Sequence, residues 1–185
     1  MSIRSVSNSP MANGGRLNVS SGQLPAGSVL QVVSTTKTDT FSASVASGSF
    51  TPNITGLEAA ITPVSTSSKI RVEVSISGAR SGNYAILVPR IMRDSTAVGV
   101  GASAGSRTSA SSSTIVISAN GNNMAAAGID FLDSPSTTSE ITYGVQLCGV
   151  ANGSETVYVN RSATDSDSVV YMRVASTITL TEVAG

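Results

Sequence analysis

Between Lys69 and Ser77 the chain alternates with a period of two: Ile70, Val72, Val74 and Ile76 fall on one side, and Lys69, Arg71, Glu73, Ser75 and Ser77 on the other. Successive side chains of an extended chain point to opposite faces, so this pattern predicts a strand with one buried and one solvated face. The apolar run before it, Ile54 to Ile61, is broken by Pro63 and by Val64 to Ser68. Proline cannot donate to a ladder, and serine and threonine bond to their own backbone, so the pair reads as strand, polar connection, strand.

The same signal recurs along the chain. Ser28–Ser34 and Thr40–Ala46 read as strands joined by a polar connection at Thr35–Asp39, with Phe41 as a core anchor. Tyr84–Met92 carries apolar residues on both faces and is expected to be one strand covered on both sides, either centrally in a sandwich or at a subunit interface. In the second half the strand pattern returns at Thr114–Ser118, Ala126–Leu132, Ile141–Val150, Thr156–Asn160, Val169–Val174 and Thr177–Val183. Turn chemistry falls at Asn120-Gly121-Asn122, at Asp133 to Pro135 and at Asn152-Gly153. No stretch has the period of a long amphipathic helix. About ten short strands predict an all-β fold, an antiparallel β-sandwich, jelly roll or small barrel.

Two stretches fall outside this pattern. Thr96 to Ser113 has low complexity and reads as a mobile loop or edge hairpin; Gly99, Gly101 and Gly105 do not complete a phosphate-cradling fingerprint. Met1 to Leu24 is polar and rich in Gly, Asn and Ser, with Ile3, Val6, Leu17 and Val19 as scattered apolar positions. It reads either as a disordered tail or as an extended arm that orders along a neighbour. The expected organisation is therefore an N-terminal arm over residues 1–24 and one β-domain over residues 25–185.

Charge narrows the function. The 185 residues hold 11 basic and 11 acidic side chains, a formal net charge of +0 and no histidine. No basic patch interleaved with aromatics occurs, which argues against direct nucleic-acid binding. Weak self-repulsion suits dense packing against copies or a larger assembly. No apolar run approaches the ~18 residues needed to span a bilayer, and MSIRSVSNSP lacks the apolar region of a secretory signal. The single Cys148, inside the apolar run Tyr143–Cys148, reads as a small buried hydrophobe, and it excludes an internal disulfide framework.

Candidate chemistry is sparse. Without histidine the usual general base and commonest metal ligand are missing. Asp165 and Asp167 offer oxygens to Ca²⁺ but lack the glycine turn and downstream glutamate of an EF-hand loop, so an acidic turn is expected. Asp130, Asp133 and Glu140 are close in sequence, yet a glycosidase needs two carboxylates ~5–10 Å apart across a sugar. Tyr84, Tyr143, Tyr158 and Tyr171 read as core or interface anchors. Asn-x-Ser/Thr triplets at Asn18, Asn53, Asn152 and Asn160 are expected by chance in a chain this rich in Ser and Thr. No catalytic, cofactor-binding or metal-binding residue is assigned, no cofactor is expected, and the chain is not expected to be an enzyme.

With these pieces placed, the chain resembles a β-domain of tailed-bacteriophage virion proteins, often found at the distal ends of tail fibres. The segments that carry the resemblance are Pro25–Ser42, Ile54–Gly78, Phe131–Leu147, Val159–Ala163 and Ser176–Gly185. The resemblance implies a homotrimeric, jelly-roll-like domain on the virion surface and no catalytic residues. Fibre proteins of this type place the domain after a long shaft, whereas here only Met1 to Leu24 precede it. The expectation is therefore a head decoration or cement protein that bridges neighbouring subunits of the major capsid protein, located on the outer surface of the head. The expected contacts are the arm and the apolar face around Ile86 to Met92. The alternative is a short tail fibre or spike tip that binds a host surface glycan through Thr96 to Ser113.

Overall fold

The alternation at Lys69–Ser77 folds into a twelve-residue strand, Lys69–Arg80, on which the larger sheet is built. The computed structural model describes residues 24–81, 84–117, 121–150 and 153–185. In chain order the strands are β1 (Val29–Lys37), β2 (Phe41–Val45), β3 (Glu58–Ile61), β4 (Lys69–Arg80), β5 (Tyr84–Leu87), β6 (Pro89–Arg93), β7 (Thr96–Val98), β8 (Thr114–Ile117), β9 (Ala125–Asp133), β10 (Ile141–Leu147), β11 (Glu155–Val159) and β12 (Ser176–Val183). Every strand pair is antiparallel.

Both edges of β4 are occupied. β9 follows one edge from Ile70, opposite Asp133, to Gly78, opposite Ala125. The other edge is shared: β12 pairs with Lys69–Ser75 and β11 takes over at Gly78–Arg80. β1 flanks β12 and β2 flanks β11, completing six strands. A second sheet runs β3-β10-β6-β7, and β5 with β8 forms a separate two-stranded ribbon.

The four branched residues of β4 are at most 4 % exposed, and Ile61, Ile91, Tyr143, Val145 and Leu147 of the second sheet meet them in one core. Two antiparallel sheets sharing one apolar interior make an all-β sandwich. Each fully buried Ile or Leu contributes about 1.5–3 kcal/mol of transfer free energy. The approach of β11 to β4 is close enough that a Cβ on Gly78 would sit 2.0 Å from the Tyr158 carbonyl oxygen. Only glycine fits that crossing.

Three expectations are corrected. Tyr84–Met92 is two strands, not one: Pro89 has no N–H to continue a ladder, β5 turns to β8, and β6 turns to β10. Leu87, Ile91 and Met92 are buried within a single chain, so these three side chains belong to its own core. Val169–Val174 is not a strand. β11 ends at Val159 and β12 begins at Ser176, and together they fill one edge of β4, so the intervening segment loops outside that sheet and pairs only at a single bridge, Arg173 to Arg161. It turns at Ser168–Tyr171 (Tyr171 N to Ser168 O, 3.0 Å) and leaves Val169 98 % exposed.

Elsewhere β1 runs on through the expected connection to Lys37. Thr96–Val98 is an edge strand paired to β6, and residues 99–113 form an exposed connection pinned where Ser111 Oγ accepts from Ile91 N (3.0 Å). Apart from Leu24, the expected arm lies outside the described residues, as do Asn120 and Asn152 of the expected turns.

Candidate functional site

The outer face of the six-stranded sheet is set by the parity of its strands. Register places Ser34, Thr179, Glu73 and Asp130 in one row across β1, β12, β4 and β9; Thr36, Thr177, Ser75 and Gly128 form the next, and Val32, Thr181, Arg71 and Leu132 the row on the other side. Arg71 is the electrostatic centre. Its Nε and Nη2 donate to Asp130 at 3.0 and 2.8 Å, and Nη2 lies 3.1 Å from Glu73. The guanidinium's hydrogen bond holds the Asp130 carboxyl below its ordinary range, and the same bond raises Arg71. Glu73, Ser75, Gly128, Asp130, Thr177 and Thr179 border a shallow groove of about 510 Å³.

The sequence's candidate acids do not converge. Asp130 and Asp133 differ by three positions on one strand, which points them to opposite faces. Asp133 instead joins the two sheets: Tyr143 Oη donates to it at 2.7 Å and Arg93 Nη1 approaches to 2.7 Å. Burial, then the neighbouring carboxylate, pushes the Tyr143 phenol well above its ordinary value. Glu140 is exposed in the β9–β10 connection. Among the described residues no group of three or more His, Cys, Asp and Glu side chains has the spacing of a metal site.

Asp165 and Asp167 lie in the β11–β12 loop. Asp165 bridges Arg161 (3.1 Å) and Arg173, whose hydrogen bond lowers its pKa. Arg161 and Arg173 also face each other across an isolated backbone bridge, and the Arg161 guanidinium lies 4.6 Å from the Tyr158 ring. The loop is thus tethered at its base, while Val169, Val170 and Met172 project into solvent at 98 %, 50 % and 58 % exposure. Cys148 is buried and its thiol pKa is raised by that burial. The side chain of Tyr84 lies outside the described part.

On the outer face of the smaller sheet, Arg90 lies over Phe50 (3.7 Å) and donates to Gln146 Oε1 at 2.9 and 2.7 Å. Gln146 donates to Asn53, and Asn53 to Glu58, at 2.9 and 2.7 Å. Asn53, read as a chance glycosylation triplet, is thus the middle of a polar chain.

Sequence reasoning missed three buried polar groups. Asn160 is fully buried with φ 61°. Its Nδ2 donates to the carbonyls of Lys37 (2.8 Å) and Asp39 (2.9 Å), while Ser176 Oγ donates to its Oδ1 at 2.6 Å. Arg80 and Glu155 form a buried ion pair. Glu182 is also fully buried and accepts from Val64 N at 2.8 Å. Three of these four residues had a legible signal: Glu182 shares parity with Ile178 and Leu180, Glu155 with Val157 and Val159, and Arg80 with Ile70 to Ile76, which places them on inward faces.

The sequence matches no protein-family model and no curated protein.

Proposed function

We propose that this chain is a structural protein of a tailed-bacteriophage virion, a homotrimeric head decoration protein that stabilises the capsid by bridging neighbouring capsid subunits. In this reading the sandwich is jelly-roll-like, and residues 1–24 and exposed apolar surfaces make the contacts. The observation that carries it is the knuckle at Val169, Val170 and Met172. Apolar side chains held in solvent on a loop anchored by ion pairs are what docking against another protein would bury. The balance of 11 acidic and 11 basic residues is compatible with dense self-packing. On the sheet face Glu73 and Asp130 pair with Arg71, and in the loop Asp165 pairs with Arg161 and Arg173, so these ion pairs hold the two surfaces in shape.

Copy number per virion, measured by quantitative mass spectrometry against the major capsid protein, tests the reading. Stoichiometry comparable with the capsid protein is expected. A few dozen copies or fewer would replace it with the alternative, a tail fibre or spike tip. The double variant Val169→Asp, Met172→Asp should fold normally and fail to decorate heads; unchanged decoration would remove the knuckle from the mechanism.

A further inference from the structure

Gly128 sits mid-strand in β9, on the exposed outer face, and nothing among the described residues requires a glycine there. Its φ is outside the left-handed region, and a Cβ built on it would meet no atom within 4 Å. A glycine inside a strand loses more backbone entropy on folding than other residues and packs nothing. A threonine, like those at 177 and 179 on the same face, would suit the strand better. A strand glycine often marks a bulge, a tight bend or a close approach to the backbone, and the β4–β9 register runs through Gly128 without a bulge. Gly128 borders the groove of about 510 Å³, a size within the ~300–1,000 Å³ range of small-molecule sites.

We propose that this groove binds a saccharide that is neutral or carries an amino group, with one sugar ring lying over Gly128. The walls supply the matching chemistry. Ser75, Thr177 and Thr179 present hydroxyls that both donate and accept, and Glu73 and Asp130 present acceptors. Arg71 fixes both carboxylates through one edge, leaving lone pairs for sugar hydroxyls. Two carboxylates against one guanidinium leave the groove locally negative, which disfavours carboxylated or phosphorylated sugars. All the walls stand on paired strands, so the array is held in place before the ligand arrives. The site differs from the loop at Thr96 to Ser113 and does not depend on the assembly reading. Among the described residues no aromatic ring lines the groove, so a dissociation constant of order 1 mM is expected.

The experiment is a chemical-shift titration of the full ¹⁵N-labelled chain with maltotriose, N,N′,N″-triacetylchitotriose and, as an anionic control, 3′-sialyllactose. Saturable shifts at Ser75, Gly128, Thr177 and Thr179 are expected with at least one of the two neutral sugars and not with the anionic one. Gly128→Thr should weaken binding at least tenfold while the unfolding midpoint stays equal or rises. Thr179→Val, which keeps the shape and removes a hydroxyl, should weaken it severalfold. Absence of saturable shifts with both neutral sugars, binding unaffected by Gly128→Thr, or equal response to sialyllactose overturns the proposal. A change in sedimentation on Gly128→Thr with no sugar response would assign the groove to a second copy of the chain.

Discussion

Asn160 is where the edge of β4 shared by β11 and β12 changes partner, and replacing it tests whether the two halves of the large sheet are locked by one side chain. Asn160 N donates to Ser77 O at 2.9 Å, and Ser176 Oγ accepts from Ser77 N at 3.1 Å. Through Nδ2 the same residue holds the β1–β2 turn at Lys37 and Asp39. Asn160→Ala removes both Nδ2 bonds, about 1 kcal/mol net each, and leaves the buried Lys37 carbonyl without this donor at a further ~1 kcal/mol or more. Alanine at φ 61° adds about 1 kcal/mol, because a Cβ disfavours the left-handed region that asparagine tolerates. The expected loss is about 3–5 kcal/mol, a large part of the ~5–15 kcal/mol available to an ordinary domain. Urea unfolding with an unchanged m-value would measure it. Asn160→Gly should recover about 1 kcal/mol by relieving the backbone while leaving the hydrogen-bond loss intact. A loss below about 1.5 kcal/mol for the alanine variant, or a glycine variant less stable than it, would refute the reasoning.

Other outcomes follow from the same contacts. Gly78→Ala forces a Cβ to within 2.0 Å of the Tyr158 carbonyl, so β11 must leave β4; a loss above about 3 kcal/mol or insoluble expression is expected, and normal unfolding would contradict the crossing. Tyr143→Phe removes the hydroxyl that joins Asp133 to the second sheet and should cost about 1–1.5 kcal/mol in thermal or urea unfolding. Asp130 and Asp165 have lowered pKa values in the fold, so their pairs contribute stability that is present above the unfolded carboxylate pKa of ~3.9 and lost as pH falls through the folded values. The urea midpoint should therefore fall on acidification from pH ~5 to ~2, less so in Asp130→Asn, and a molar-salt buffer should reduce the difference because both pairs are solvent-screened. A variant as acid-sensitive as the parent would show that the Arg71 pair contributes nothing.

Period-two alternation determined most of the strands, including β4, β9 and β12, because burial of one face is a local property of side-chain order. It also encoded the inward position of Glu182 and the buried setting of Cys148. Local order could not say which edge each strand would find. Val169–Val174 has the strand pattern and forms no strand: it turns at Ser168–Tyr171 and pairs only at a single bridge, Arg173 to Arg161. Tyr84–Met92 reads as continuous and divides, because Pro89 interrupts the ladder and its two halves meet different sheets. The groove at Gly128, the Arg71 cluster, the Asp133 clasp and the Asn160 lock all join residues tens of positions apart. Their chemistry arises from register between strands, which tertiary pairing sets and composition does not record.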